Sequence, residues 1–552
     1  MNSLIRSFVI AMSLLIATLE TLWAQEPPTN TTCEFFERYE DWPEDLKIPG
    51  ALVVADSVEG FCHFIASSNY SQKRTKSWTV IGSLESSQAL LAAPEIKALS
   101  ESLDRITWTQ NIESLGDAEP ETFLVVCDDR PVQQIPAQRW QAIGEAMRGH
   151  MSKGGTVGFV GPACVGLGKT YPKKTNPEGE FQGELEKGLG LFPDALIDFT
   201  LGGQCDRALC ETIQAADRSV LLSIAKGNAW VLQGRKGMLF GPGAATAWVG
   251  ASGHVPEASQ RIEARSQRNG NAPESFLIDW TQWRRRAIER TLDAFPPPER
   301  QRPHVSNGTL IIVGGGGMPG GLMQKFVELA GGPEARLVYV PCAEEEDMSR
   351  DTGLLEVWRQ MGAKTCSLIH TKDRRVADRD EKFLEPLEDA TGIWFGGGRQ
   401  WNLADSYYGT QAHRLMKQVL DRGGVIAGSS AGASIQGNYL ARATPIENFR
   451  IMAPGYERGG LGFLCGVAID QHFTQRRRQK DLASLVETYP QLIGIGIDET
   501  TAVVVTKSTA QIVGPGTVTF NWKNPNETDL REFVGKQGQR FDLAERSEKE
   551  GD

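Results

Sequence analysis

The feature that most constrains the fold of this sequence is an alternation of short apolar runs with amphipathic stretches. The alternation occurs twice along the chain. The first round has apolar runs at residues 51–54, 78–81, 123–126 and 155–160, and the second has them at 309–313, 336–340, 392–395 and 425–427. Strands that alternate with helices form parallel sheets covered by helices. We therefore predict an α/β protein built on doubly wound parallel sheets.

The two rounds are related by short sequence matches at a nearly constant spacing. Gly241-Pro242-Gly243 recurs 273 residues later as Gly514-Pro515-Gly516, and the same spacing pairs Ala229 with Ala502. A chain of 552 residues also exceeds what one hydrophobic core usually supports, so two or three domains are expected. These observations predict a tandem duplication. The predicted segments are a signal peptide (1–24), a polar lead-in (25–49), a first α/β copy (50–250), a helix with a Pro-rich linker (251–305), a second α/β copy (306–522) and a polar tail (523–552).

The amino terminus has the pattern of a secretory signal peptide. Arg6 precedes an apolar core at residues 8–17, and Leu22-Trp23-Ala24 lies before a polar segment, so we expect cleavage after Ala24. The apolar core is too short for a membrane span. We predict an exported protein, periplasmic or extracellular, with no membrane attachment after cleavage.

The net charge bears on the possible binding partners, and the cysteine spacing bears on possible disulfide bonds. The net charge is −11 and the isoelectric point about 5.4, which argues against nucleic acid as a partner. The nine cysteines form no C-x-x-C set, and export allows one or two disulfides, with Cys205 and Cys210 the closest pair. Most other cysteines lie in apolar runs and are expected to be buried thiols.

Residues 423–433 predict a buried strand, a tight turn and the start of a helix. Ser430 stands at the apex in the frame Gly428-x-Ser430-x-Gly432. This is the pattern of a nucleophile elbow, in which the glycines let strand and helix approach while the serine is held exposed. The alternative for such a short pattern is an ordinary Gly/Ser loop.

Three further motifs follow predicted strands of the second copy. Gly396-Gly397-Gly398 could supply backbone N–H groups to an oxyanion. His472 ends a strand at the edge where Ser430 is expected, and a serine nucleophile needs such a base. The arginines at 476–478 are either a solvated helix face or a binding site for carboxylates.

Another glycine-rich segment, residues 314–320, contains the pattern G-x-G-x-x-G. A dinucleotide site would require an acidic residue at the end of the next strand. The candidates, residues 344–346, come late, so a tight turn is the favoured interpretation.

The first copy lacks the candidate serine nucleophile and the candidate histidine base. It has Gly161-Pro162-Ala163-Cys164 where the second has the serine turn, and Asp198-Phe199-Thr200 where the second has Asp470-Gln471-His472. We predict a catalytically silent copy. Cys164 could replace the nucleophile only with a partner to generate its thiolate, and no histidine is available.

Taken together, the motifs 396–400, 428–433, 470–473 with Arg476 and Arg478, and 494–499 resemble cyanophycinase, of the serine peptidase family that also contains aspartyl dipeptidase E. The resemblance covers about residues 306–520. It implies a flavodoxin-like three-layer sandwich and hydrolysis of cyanophycin, a poly-aspartate with arginine on its side-chain carboxyls, to β-aspartyl-arginine dipeptides.

The resemblance also implies residue roles. Ser430 would be the nucleophile and His472 the base, with oxyanion donors at Ala431, Gly397 and Gly398. Gln400, Asp470, Gln471, Arg476 and Arg478 would line the substrate pocket. The triad acid is expected between serine and histidine, at Glu447 or alternatively Glu457. No metal or cofactor is implied.

One position departs from the family pattern, because Asp481 stands where cyanophycinases have a further arginine. The alternatives are therefore an exported peptidase of this family with another substrate, such as short aspartyl peptides, or a binding protein without activity. If relatives pair through equivalent surfaces, the silent copy would take the partner's place in an intramolecular pseudo-dimer.

Overall fold

The computed structural model describes most of the chain beyond the amino-terminal region. The described residues are 46–67, 76–100, 103–112, 118–174, 181–200, 202–204, 206–215, 218–264, 277–343, 353–446, 450–524 and 527–549. The predicted signal peptide, Cys33, Cys205, residues 344–346 and Glu447 lie outside them.

The first half of the chain forms two sheets. Its strands are β1 Ala51–Ala55, β2 Ser77–Gly82, β3 Arg105–Thr109, β4 Thr122–Cys127, β5 Thr156–Val160, β6 Thr170–Lys174, β7 Phe181–Lys187, β8 Ala195–Thr200, β9 Val220–Ala225, β10 Ala229–Gln233, β11 Lys236–Phe240, β12 Ala244–Val249, β13 Ala258–Glu263 and β14 Leu277–Asp279. Its helices are α1 Val58–Ser67, α2 Leu84–Ala92, α3 Pro94–Ser100, α4 Ala137–Ser152, α5 Arg207–Ala215 and α6 Trp280–Glu289. In the described part, the larger sheet has the order β14-β11-β10-β1-β5-β4-β2-β3 and the smaller one β13-β12-β9-β8-β6-β7.

The second half also forms two sheets. Its strands are β15 Val305–Val313, β16 Arg336–Val340, β17 Thr365–Leu368, β18 Gly392–Phe395, β19 Val425–Ser429, β20 Gly437–Tyr439, β21 Leu464–Gln471, β22 Ile493–Ile497, β23 Ala502–Lys507, β24 Thr509–Val513, β25 Val518–Lys523, β26 Leu530–Gly535, β27 Arg540–Asp542 and β28 Ser547–Lys549. Its helices are α7 Leu322–Leu329, α8 Gly353–Gln360, α9 Arg374–Arg379, α10 Glu381–Glu388, α11 Gln400–Tyr407, α12 Gln411–Asp421, α13 Ala431–Ser434 and α14 Gln479–Thr488. Over the described residues, the sheet orders are β17-β16-β18-β19-β15-β23-β24-β27-β28 and β20-β21-β22-β25-β26.

The two halves arrange corresponding strands in the same order. In the larger sheets, β3-β2-β4-β5-β1-β10-β11 runs like β17-β16-β18-β19-β15-β23-β24. In the smaller sheets, β6-β8-β9-β12-β13 runs like β20-β21-β22-β25-β26. The register agrees as well, since Ala55 pairs with both Val160 and Ala229, while Val313 pairs with both Ser429 and Ala502.

The predicted α/β class is confirmed, but the sheets are mixed rather than wholly parallel. Strands β15 to β19 pair in parallel, as the helical crossovers between them require. Strand β23 joins antiparallel to β15 and continues into the hairpin with β24. A short turn can connect only antiparallel neighbours, so these late strands extend the sheet in the opposite sense.

Local sequence explains the helices that support the parallel strands. Helix α12 begins after Thr410, whose hydroxyl accepts a hydrogen bond from the His413 N–H. Leu415, Met416 and Val419 form its buried face and pack in the main core of the second half. This spacing of three and four residues is that of an amphipathic helix with one face on a sheet.

Two predicted boundaries are wrong. Residues 251–305 include β13 and β14, which complete the sheets of the first half, so that half continues beyond residue 250. The predicted polar tail from residue 523 contains β26, β27 and β28, which extend both sheets of the second half. These strands were not predicted because they have a mixed polar composition instead of an apolar run. Strands near the edge of a sheet expose one face to solvent and therefore carry polar residues.

Helix α6 connects the cores of the two halves. Trp280, Trp283 and Ala287 pack in the core of the first half, whereas Ile288 packs in the core of the second. The helix is capped by Asp279, whose side chain accepts a hydrogen bond from the Gln282 N–H. One helix that contributes to both cores limits relative movement of the halves.

A buried ionic cluster joins the halves beside this helix. Arg235 of the first half binds Asp279 and reaches Asp405 of α11 in the second half, with Nη1 2.5 Å from Oδ2. Arg285 lies 2.8 Å from the other oxygen of Asp405, and the Tyr456 hydroxyl donates to the same carboxylate. The Arg235 guanidinium also stacks over the Trp401 ring at 4.6 Å. Each buried carboxylate is thus matched by cations and hydrogen bonds.

The described cysteines fall into two groups. Cys210 and Cys465 each take part in a disulfide bond. Cys62, Cys127, Cys164 and Cys342 are free and buried, as predicted for cysteines in apolar runs, and Cys366 is free and partly buried. No helix in the described ranges has the length and apolar character needed to cross a membrane.

We expect Arg235→Met to destabilise the protein, because it leaves Asp279 and Asp405 buried without their shared cation. Breaking a buried ion pair typically costs about 3–5 kcal/mol. The free energy of urea unfolding measures the effect. The matched control is Arg207→Met, which removes an exposed ion pair to Glu211 and should cost less than about 0.5 kcal/mol. Equal losses in the two variants would contradict the structural role of the cluster.

Candidate active site

Ser430 lies at a strained turn between β19 and α13. Its φ of 57° and ψ of −111° are unfavourable for any residue other than glycine. Its N–H donates a hydrogen bond to the Val313 carbonyl at 3.0 Å. A Cβ on Gly428 would lie 2.2 Å from the Gly432 carbonyl oxygen, and one on Gly432 would lie 2.2 Å from that of Phe395. Both flanking glycines are therefore required for the close approach of strand and helix.

The Ser430 hydroxyl lies in a hydrogen-bonded chain with two other side chains. Its Oγ is 2.9 Å from Nε2 of His472, and Nδ1 of His472 is 2.6 Å from Oε1 of Glu499. A carboxylate can only accept, so Nδ1 carries the ring proton and Nε2 accepts from the serine hydroxyl. The arrangement can remove the Ser430 proton and stabilise the resulting imidazolium.

His472 is held as a neutral base. Burial lowers the pKa of His472 below the ordinary imidazole value, the hydrogen bond to Glu499 opposes this, and the positive charge of Arg476 reinforces it. The ring therefore stays unprotonated, and able to accept a proton, at neutral pH.

The glycine-rich segment after β15 packs against this pair. The His472 N–H donates to the Gly314 carbonyl at 2.9 Å. A Cβ on Gly315, which has φ of 93°, would lie 2.4 Å from Cε1 of His472, and one on Gly316 would lie 2.4 Å from Oε2 of Glu499. The segment forms the tight turn favoured from the sequence, and its lack of side chains makes room for the histidine and the glutamate.

Three backbone N–H groups beside the serine turn are candidates for an oxyanion site. The Gly397, Gly398 and Ala431 N–H groups donate to no acceptor among the described residues. The Cβ position of Gly397 is 3.5 Å from Cβ of Ser430. These groups are the ones predicted to stabilise an oxyanion; Ala431 follows Ser430 directly, and Gly397 lies against Ser430.

A buried network of charged and amide side chains connects helix α11 with the segments around Arg442 and Asp470. Gln400 donates to the carbonyls of Ala441 and Arg442 at 2.9 and 2.8 Å. Arg442 binds Asp470 through Nε and Nη2, and Arg478 Nη1 is 2.9 Å from Asp470 Oδ1. Arg478 Nη1 also donates to the carbonyl of Gln471 at 2.6 Å. The structure thus brings together Gln400, Asp470, Gln471 and Arg478, four of the residues predicted to line the substrate pocket, and joins them to Arg442.

Sequence analysis missed Arg442. The signal available was a lone arginine in the apolar and small-residue run at 439–443, since an arginine in a buried run must have a carboxylate partner. Its side chain is only 6% exposed, and its backbone has a positive φ of 55°. Burial would lower the pKa of Arg442, but Asp470 and Asp481 outweigh this and raise it.

Arg476 differs from the other predicted pocket residues because it is exposed. Its side chain hydrogen-bonds to no residue in the described ranges, yet its charge influences the pKa of His472. Arg476 is thus positioned to receive a carboxylate from solvent.

The expected triad acid is not the one beside His472. Glu447 lies outside the described residues, and Glu457, the alternative, accepts from the Tyr439 hydroxyl at 2.9 Å, away from the histidine. Glu499 takes the position instead. The resemblance implies an acid between serine and histidine in the chain, whereas Glu499 follows the histidine. Its neighbour Asp498 is structural and accepts from Thr474 and Thr517.

The first half has other residues at the equivalent places. The Gly161 N–H donates to the Ala55 carbonyl at 2.9 Å, as that of Ser430 does to Val313, so Gly161 replaces the serine. Asp198 pairs with Ser223 as Asp470 pairs with Gly496, which puts Thr200 in the place of His472. Cys164 is buried, and burial raises its pKa well above the ordinary thiol value. The thiol is therefore inert.

No group of three or more histidine, cysteine or acidic side chains within the described ranges could hold a metal ion.

Comparison with known proteins places the second half in a family. The family model described as Peptidase family S51 matches residues 305–513. A cyanophycinase from Geminocystis herdmanii is 31% identical over 201 residues, which is 36% of this chain and 74% of the relative. A cyanophycinase from Trichormus variabilis is 28% identical over 235 residues, 40% of this chain and 76% of the relative.

Two solved structures also match. A peptidase from an acI-B1 Actinobacterium is 24% identical, with a TM-score of 0.32, over 44% of this chain and 98% of that one. A putative peptidase E protein from Listeria monocytogenes is 14% identical, with a TM-score of 0.26, over 42% and 99% of the two chains.

The sequence relatives define the protein as a serine-type hydrolase. The chain belongs to peptidase family S51, which confirms the resemblance inferred from the motifs.

We expect Glu499→Gln to lower kcat by about 10²–10⁴, since a neutral partner no longer stabilises the imidazolium. The loss of the carboxylate also lowers the pKa of His472 further, so the acid limb of the pH–rate profile should move to lower pH. Glu457→Gln is the control. Burial raises the pKa of Glu457 to about 7, so this residue is already partly protonated at neutral pH. A larger loss in Glu457→Gln or Glu447→Gln than in Glu499→Gln would contradict the assignment.

We expect Gly315→Ala to reduce kcat by about 10²-fold while the protein remains folded, because its methyl group would displace the His472 ring. The matched control is Gly320→Ala, whose added methyl group meets no atom within 4 Å. Turnover and circular dichroism of both variants provide the measurement. Wild-type turnover in Gly315→Ala would show that the loop does not position the base.

Proposed function

We propose that this protein is an exported serine peptidase that hydrolyses cyanophycin to β-aspartyl-arginine dipeptides. The observation that carries the activity is the hydrogen-bonded chain from Ser430 through His472 to Glu499. The substrate is proposed from the relatives described as cyanophycinases. A second candidate is hydrolysis of short aspartyl peptides, which is favoured by the exposed Arg476 as a receptor for their carboxylates.

The proposed mechanism is acyl transfer. Ser430 attacks the scissile carbonyl carbon while His472 Nε2 takes the hydroxyl proton, and Glu499 stabilises the imidazolium. The N–H groups of Ala431 and Gly397 stabilise the tetrahedral oxyanion. The imidazolium then protonates the leaving amine, and a water activated by His472 hydrolyses the ester.

Charged side chains around the serine suit a substrate with carboxylates. Arg476 is exposed beside His472 and has no partner in the described part of the chain. Arg478 uses Nη1 for Asp470 and Gln471, and its Nε and Nη2 donate to no described residue. We therefore assign these two arginines to substrate binding, while Asp470 holds Arg442 and Arg478 in place.

We further propose that the two halves arose by tandem duplication and pair as an intramolecular pseudo-dimer, each half a flavodoxin-like layered unit. The shared strand order and register support the duplication. Helix α6 and the Arg235–Asp405 ion pair support a stable association of the halves. Export is proposed from the signal-peptide pattern at residues 1–24.

Incubation of the purified protein with cyanophycin tests the proposed substrate. We expect release of β-aspartyl-arginine dipeptides, at a higher kcat/KM than that for aspartyl dipeptides. Ser430→Ala should abolish both hydrolysis and labelling by a fluorophosphonate, because the acyl-forming oxygen is gone. The control Ser429→Ala should retain labelling. Cleavage of aspartyl dipeptides alone would favour the second candidate, and unchanged turnover in Ser430→Ala would contradict the nucleophile.

A further inference from the structure

Asp481 occupies the outer end of the charged network beside the candidate active site. Its Oδ2 is 2.7 Å from Nη2 of Arg442, and its side chain is 51% exposed. Its Oδ1 accepts no hydrogen bond from any described residue. One carboxylate oxygen is therefore bound to the protein, and the other remains available to a cation from solvent.

The network places this carboxylate near the reacting groups. At one end, Gln400 lies two residues after Gly398 and donates to the carbonyls of Ala441 and Arg442. At the other end, Asp470 and Gln471 immediately precede His472 and bind Arg478. Arg442 thus lies between the oxyanion loop and the base, and Asp481 is attached to its guanidinium.

The balance of charges among these side chains determines which charged substrate groups can bind. Arg442 and Arg478 are matched by Asp470 and Asp481, so these four side chains are neutral together. The exposed Arg476 remains as a receptor for an anion, whereas Asp481 offers a receptor for a cation. Lys480 and Arg477 nearby are exposed and solvated.

We propose that Asp481 is a specificity-determining residue that selects substrates bearing a guanidinium or ammonium group close to the scissile aspartyl bond, and disfavours a second carboxylate there. This inference rests on the proposed aspartyl-peptide hydrolysis. A charge-assisted hydrogen bond of this kind contributes more than a neutral one, so the preference should be measurable.

Two soluble aspartyl oligomers that differ only in side-chain charge provide the test. One carries arginine on its β-carboxyls, and the other carries citrulline, the neutral isostere of arginine. We expect wild-type kcat/KM to favour the arginine oligomer by at least about tenfold. In Asp481→Asn the ratio should fall below about threefold, mainly through a higher KM for the arginine oligomer.

Further variants separate recognition from structural damage. Asp481→Glu should recover most of the preference, and Asp481→Arg should reverse it in favour of an oligomer that carries glutamate. Glu487→Gln, which removes an exposed carboxylate from the same helix α14, should leave the ratio unchanged. An undiminished preference in Asp481→Asn would overturn the proposal.

Binding distinguishes failure of this proposal from failure of the proposed function. Calorimetry on Ser430→Ala measures the affinity of the two oligomers without turnover. If the wild-type protein hydrolyses neither oligomer, the proposed function fails. An affinity ratio that depends on Asp481 would then still support the selection, and an equal affinity for both oligomers would refute it.

Discussion

The strained backbone of Ser430 is the constraint on which the rest of the site depends. A left-handed φ at a serine costs free energy, and it persists because the surroundings determine it. The Ser430 N–H is held by Val313, and Gly428 and Gly432 let strand and helix approach each other. The turn then directs Oγ to His472 and leaves the following N–H without an acceptor among the described residues. His472 also has a positive φ, so two strained residues meet at the same edge of adjacent sheets.

The charged network has a comparable role on the substrate side. Arg442 and Arg478 share the buried carboxylate of Asp470, and the Gln400 amide fixes the carbonyl of Arg442 in its left-handed conformation. Removing Asp470 would leave two buried arginines without their shared carboxylate, which is costly. Among the described residues, Gln400, Asp470 and Arg478 therefore support one another, whereas Arg476 and Asp481 are exposed.

The two halves show which parts of the architecture the chemistry needs. Both have the same strand order, and both make the backbone hydrogen bond that ends the elbow strand. The first half nevertheless has Gly161, Thr200 and Lys226 where the second has Ser430, His472 and Glu499. The scaffold is thus stable without the reactive side chains. The first half still contributes to the second, because Arg235 binds Asp405 and Trp401 in the helix that begins next to the oxyanion loop.

The sequence by itself determined the α/β class, the family, and the residues Ser430 and His472. Strand and helix periodicity, turn glycines and the order of motifs are local properties, so they can be recognised in the sequence without the fold. Tertiary structure alone decided that Glu499 is the acid on His472, that Arg442 connects Gln400 to Asp470, and that β26, β27 and β28 extend the two sheets. Each of these depends on contacts between distant segments. Glu499 and Glu457 are equally acidic in the sequence, and only the fold places one of them within 2.6 Å of the imidazole.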